Sequence, residues 1–169
     1  MVKILCINFE KQAIIGIGNK KEGIITMTEQ TLDLLDQVNT GCKMAINSMK
    51  QVKEYIVDDK LKNLINSYTD EHERLEKETG DQLARYGKVE EKPGLMASAM
   101  SWISTEAKLL IKDDARQIAK IIMDGCNMGI QSVAEYLNKN ENASPESVHL
   151  AKRLIKTEED LMSEMKQFM

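Results

Sequence analysis

The sequence has little of what interrupts a helix or builds a β-sheet. Its 169 residues include only two prolines and nine glycines, and aromatic residues make up 4% of the chain. Scarce proline leaves long stretches in which a helix can continue unbroken. Abundant Leu, Ile, Met, Lys and Glu favour helix over strand. We therefore predict an all-α protein, and the length fits one domain.

Other absences limit where in the cell we expect the protein and which classes of partner we expect it to bind. No apolar run reaches the roughly 18 residues of a membrane span. The opening MVKILCINF lacks the long apolar region and small-residue cleavage site of a signal peptide. The net charge is −4 with mixed signs, so we expect neither nucleic acid nor a membrane as partner. Three separated cysteines argue against a disulfide framework and for a reducing compartment. We expect a cytoplasmic protein.

Familiar catalytic motifs are also missing. The sequence contains no Walker loop, no G-x-S-x-G elbow, no H-E-x-x-H and no C-x-x-C pair. Gly16 and Gly18 have no third glycine with which to form a dinucleotide-binding loop. These absences favour a protein that is not an enzyme.

The clearest positive pattern is a helix over residues 58–86. Its inner stripe follows spacings of four and three, as one face of a helix requires. Asp58 or Asp59 would cap its first turn. His72 stands near the middle of this otherwise buried face. The predicted stripe is Leu61, Ile65, Tyr68, His72, Leu75, Thr79, Gln82 and Tyr86.

Three more long helices are predicted. The first runs from Thr26, the start of a T-x-x-E capping box, to about Val57. The third runs from residues 113–114 to about 137–138, and its Gly125 and Gly129 suggest a close approach by another backbone. The last starts at Ser144-Pro145, with serine at the N-cap and proline at the first helical position.

Two segments lie outside these long helices. Residues 1–26 form either an N-terminal extension with a short β-hairpin or a loosely attached, disordered extension, which leaves 27–169 as the bundle domain. Residues 95–111 predict a shorter helix anchored by Trp102, the only tryptophan. About 26 residues separate the second and third long helices, enough for a crossover along the bundle.

Four unusual residues fall at matching heights on the inner faces: Cys42, His72, Cys126 and Glu158. Each lies within about one turn of its helix midpoint, so we expect all four near the midplane of a four-helix bundle. His149, by contrast, is predicted to face outward. Two interpretations remain open. The four side chains could bind a zinc or iron ion, or His72 and Glu158 could form a buried pair while the cysteines pack as small apolar groups.

The helix lengths and the crossover make residues 27–169 resemble the ferritin-like bundles, and in particular bacterial ferritin-like proteins of unknown function. The fragments TDEHERLE and MDGCNMGIQS are similar to uncharacterised proteins of anaerobic bacteria, a resemblance that implies no activity. The ferritin-like resemblance implies a four-helix bundle with a long crossover containing a short extra helix. The di-iron members carry two Glu-x-x-His motifs. Here Thr69 precedes His72 by three positions and Leu161 follows Glu158 by three, so the di-iron ligand set is largely missing.

Two functions follow as hypotheses. The first is a non-enzymatic helical bundle that acts by binding a protein partner or by self-association, as a homo-oligomer. The alternative is a ferritin-like metal-binding or redox protein that uses Cys42, His72, Cys126 and Glu158. A reactive-thiol sensor is a third hypothesis.

Overall fold

The computed structural model describes residues 3–88 and 114–169, with side chains from residue 28 onward. Within these ranges the chain is all-helical and contains no strand. None of the helices in these ranges is both long and apolar enough to cross a bilayer. The helices are α1 (Lys3–Lys53), α2 (Asp59–Arg85), α3 (Ala115–Lys139) and α4 (Pro145–Met165), followed by a short 3-10 turn, Lys166–Phe168.

Three helices begin with a side-chain cap, and two of these caps, Asp58 and Ser144, were predicted from the sequence. The Asp58 carboxylate accepts a hydrogen bond from the backbone N–H of Leu61 at 2.8 Å, Asp114 caps α3 in the same way, and Ser144 caps α4 with Pro145 in its first turn. The helix α2 ends at Arg85, and Gly87 follows two residues later with a φ of 75°, which suits glycine. Each cap satisfies backbone groups that a helix end leaves without a partner.

The start of α1 differs from the prediction. The backbone is already helical at Lys3, so Thr26 lies inside α1 and does not cap it, and the hairpin predicted for residues 1–26 is wrong. No proline interrupts this stretch, and turn-like glycines such as Gly18 only weaken a helix. A loosely attached extension stays a prediction. The predicted helix over 95–111, with Trp102, lies outside the described residues.

The four helices pack as a bundle in which α1 contacts each of the others, and α2 and α3 lie opposite each other. On α2, Thr79 bonds to Asn39 and Glu73 to Lys50; on α3, Lys139 bonds to Asp33 and Ser132 to Gln37. In both helices the residue numbers fall as those of α1 rise, so α2 and α3 both run antiparallel to α1. They therefore run in the same direction. The last residues of α2 and the first residues of α3 lie at opposite ends of the bundle.

The core is divided into two apolar clusters. One, at the α1 C-terminal end of the bundle, includes Met49, Ile65 and Leu161. The other, at the opposite end, includes Leu35, Leu75 and Leu154. On α2 and α4 the two clusters are separated by the level of His72 and Glu158. His72 and Glu158 therefore form a layer of titratable side chains between the two apolar clusters, about halfway along the core.

The buried face of α2 matches most of the predicted stripe. Five of its eight members are buried, from Leu61 to Thr79. At two levels the buried residue is the next one along, Thr69 beside Tyr68 and Leu83 beside Gln82. Tyr86 is exposed because α2 ends one residue earlier.

Candidate functional site

The midplane layer is built around the pair that the sequence singled out. His72 is fully buried and Glu158 is 5% exposed. The Nε2 atom of His72 lies 3.2 Å from Oε1 of Glu158. This contact joins α2 to α4 at the middle of the bundle. The interpretation of a buried His72–Glu158 pair agrees with this geometry.

The other nitrogen of the ring has a partner within its own helix. His72 Nδ1 lies 2.7 Å from the backbone carbonyl oxygen of Tyr68. A carbonyl oxygen can only accept, so Nδ1 carries a hydrogen and donates it. The ring therefore lies between an acceptor one turn earlier on α2 and a carboxyl group on α4. Sequence reasoning missed the Tyr68 carbonyl because every helical residue has one, and only the ring orientation selects it.

The electrostatics of His72 reflect opposing influences. Burial lowers the pKa of His72, but the hydrogen bond to Glu158 and the charge of that group raise it more, with help from the Tyr68 carbonyl and Glu71. The net direction is upward from the usual value. Arg153 on α4 binds Glu71 and Glu78 on α2, with its Nη1 2.5 Å from Oε2 of Glu78. These surface ion pairs lie along the same α2–α4 seam.

The two cysteines of the predicted site have different positions around this pair. Cys126 is buried close to Glu158, and burial, then its interactions with Glu158, raise the pKa of the Cys126 thiol. Cys42 is fully buried in the other apolar cluster. Its thiol pKa is raised by burial and then by the charge of Glu158. Buried thiols with raised pKa values stay protonated, which disfavours the reactive-thiol hypothesis.

The four predicted residues thus lie near one level, but they do not form a metal-binding group. In the described part of the chain, no three side chains of His, Cys, Asp or Glu are arranged to hold a metal ion. A structural zinc site needs four such ligands around one point. The geometry gives the zinc or iron hypothesis no support, and metal binding stays a prediction.

Gly129 on α3 lies against the carboxyl group of Glu158. A Cβ atom placed there would lie 3.3 Å from Oε1 of Glu158 and 3.7 Å from its Cδ. Glycine therefore lets α3 approach the Glu158 carboxylate more closely than a side chain would allow. The sequence predicted close approach by a backbone here, whereas the neighbour is a carboxyl side chain.

A partly open groove of about 210 Å³ lies beside this layer, between α1 and α3, with Glu158 and Leu161 of α4 in its floor. Its surface is mostly apolar, and Glu158 is the only acidic side chain that lines it. Sequence reasoning missed the groove, although the glycines on α3 were a signal of it. On α1 and α3 it is lined by Gln37, Gly41, Met44, Ala45, Ser48, Met49, Ile122, Gly125, Cys126, Met128, Gly129, Ser132 and Val133.

Comparison with known proteins does not assign this chain to a family. No protein-family model matches the chain, and neither a curated protein nor a solved structure is significantly similar to it. The ferritin-like resemblance therefore stays a prediction.

Proposed function

We propose that this protein is a non-enzymatic, cytoplasmic helical bundle that acts by binding a protein partner, and that the groove between α1 and α3 receives an amphipathic helix of that partner. The observation that carries this proposal is the shape and lining of the groove. It extends from Gln37 to Met49 on α1, which is about 18 Å at the rise of an α-helix. Three turns of a partner helix match this length.

The chemistry of the groove supports the same occupant. Met44, Met49 and Met128 line it, and methionine side chains adapt to the shape of an incoming apolar surface. Met128 is 62% exposed. Glu158 is already paired with His72, so no uncompensated charge lies in the groove. An uncharged apolar ridge at helical spacing is the complementary surface.

The proposal is tested with a fluorescein-labelled amphipathic model helix with leucines at i, i+4 and i+7. We expect its fluorescence anisotropy to rise with the unmodified protein. Met128→Glu should weaken binding at least tenfold, because it adds an unpaired charge to an apolar contact. Met169→Glu is the matched control, because Met169 is also exposed, at 52%, and does not line the groove.

Equal binding by Met128→Glu and the unmodified protein would contradict the proposal. Sedimentation velocity tests whether a second copy of this chain occupies the groove instead of a partner helix. A dimer that Met128→Glu converts to monomer, while Met169→Glu does not, would identify self-association and replace the partner helix.

We also propose that the bundle is ferritin-like in topology. The parallel direction of α2 and α3 supports this, because it requires a connection that runs along the bundle, as in ferritin-like folds with one long crossover. An experimental structure in which the segment between residues 88 and 114 returns without a crossover helix would contradict the predicted extra helix.

A further inference from the structure

The hydrogen-bond geometry of His72 determines how many protons the buried pair must hold. Nδ1 donates to the Tyr68 carbonyl oxygen at 2.7 Å. A neutral imidazole has one N–H, so with Nδ1 protonated its Nε2 carries only a lone pair. An ionised carboxylate also offers only lone pairs. A neutral His72 and an ionised Glu158 would therefore place two acceptors face to face.

Such an arrangement would be costly at this position. Nε2 and Oε1 are 3.2 Å apart, and both side chains are buried. Two buried acceptors without a donor between them lose their hydrogen bonds and repel each other. One further proton removes the conflict, either as the Nε2–H of an imidazolium or as the O–H of a protonated Glu158.

We infer that the His72–Glu158 pair is a proton-binding site that joins α2 to α4, and that the folded bundle holds one proton there at a pH where the unfolded chain has released it. The bond between the two helices is then complete only while that proton is bound. The inference does not depend on the proposed binding function.

In the described part of the chain, no lysine or arginine donates a hydrogen bond to His72 or Glu158, and Arg153 is bound to Glu71 and Glu78 instead. The titratable groups that act on the pair come from all four helices. Besides His72 and Glu158 themselves, they are Cys42 on α1, Glu71 on α2 and Cys126 on α3.

The sign of the pH dependence follows from this proton. The pKa of His72 is higher in the folded protein than the usual value, which is about 6.5 in an unfolded chain. The stabilisation is fully present below that unfolded value and is lost as the pH rises through the folded value. At a pH between these two pKa values, the folded state holds one more proton than the unfolded chain. The folding equilibrium constant therefore falls by up to tenfold per pH unit.

The experiment measures urea unfolding from pH 6 to pH 8. The upper limit matters because Cys42 and Cys126 also have raised pKa values in the fold, and unfolded thiols begin to ionise above about pH 8. We expect the stability of the unmodified protein to fall across the upper part of this range.

Glu158→Gln is the decisive variant. Glutamine has nearly the same shape, and its amide N–H can donate to the lone pair of a neutral His72, so the bond no longer needs the extra proton. We expect this variant to fold and to lose the decline in stability. Because its His72 stays neutral in the fold while the unfolded histidine takes up a proton below about pH 6.5, its folding equilibrium constant should rise a few-fold from pH 6 and then level off. His149→Gln is the matched control: it removes the exposed histidine and should leave the pH dependence unchanged.

His149→Gln also leaves His72 as the only histidine, so the ring nitrogens of His72 can be assigned directly by ¹⁵N NMR. We expect Nδ1 to be protonated throughout this pH range. A His72 ring with unprotonated Nδ1 would overturn the inference. So would constant stability in the unmodified protein, or the same loss of stability in Glu158→Gln.

Discussion

Single residues account for the polar layer at the centre of the core. A carboxyl group and an imidazole there each need a partner, because neither can be left unsatisfied away from water. His72 has two such partners, the Tyr68 carbonyl and Glu158, and Glu158 has His72. Gly129 provides the space in which the carboxyl group can lie.

At this scale we predict a large penalty for removing one member of the pair. His72→Ala should reduce the free energy of unfolding by about 3–5 kcal/mol at pH 6.5, because Glu158 is left buried without its partner. Urea denaturation measures this change. The control is Glu73→Ala, which removes the exposed pair between Lys50 and Glu73 and should cost at most about 1 kcal/mol. Similar small losses for both variants would show that Glu158 reaches water.

At the residue scale, the sequence predicts the height of a side chain along the bundle but not the direction in which it points. Heptad-like spacing and helix midpoints brought His72 and Glu158 to the same level. They could not distinguish a contact from mere proximity, because side-chain direction depends on how each helix is rotated. Cys42 shows this: it is near the predicted level but packs in an apolar cluster.

At the scale of single helices, the residues just before the first turn determine where α2, α3 and α4 begin. The caps Asp58 and Ser144 could be predicted because a short polar side chain before an apolar repeat has one favourable use there. The same signal failed at Thr26, where the backbone continues as helix on both sides. A capping box permits a helix start, but it does not force one when the preceding residues can also be helical.

We predict at this scale that Asp58→Ala will destabilise the protein by about 1 kcal/mol, because the N–H of Leu61 loses its acceptor. Thermal unfolding followed by circular dichroism measures the change. Asp70→Ala, an exposed acidic residue in the middle of α2, is the control and should alter stability by less than about 0.5 kcal/mol. A smaller effect at Asp58 than at Asp70 would mean that the cap is not used.

The whole molecule is held together by two apolar clusters on either side of one polar layer. This division makes a shift of one helix along another costly, because a shift by one turn would move Glu158 away from His72 and into an apolar cluster. A buried polar group that sets the register of packed helices is a known use of such residues.

For the whole molecule we predict that protein purified without chelator contains well under one equivalent of zinc or iron. The reason is that the described side chains form no group able to hold a metal ion. Inductively coupled plasma mass spectrometry gives the metal content. One full equivalent that disappears in His72→Ala would contradict this prediction and restore the metal-binding or redox hypothesis.

The sequence by itself determined the helical class, three of the helix starts, the buried face of α2 and the height of His72 and Glu158. These follow from local chemistry, since helix period, capping and proline placement act within a few residues of one another. Only the tertiary structure decided that His72 Nε2 faces Glu158, that Gly129 lies against that carboxyl group, and that a groove opens between α1 and α3. Those features depend on the rotation and spacing of helices far apart in the chain, which local pattern does not specify.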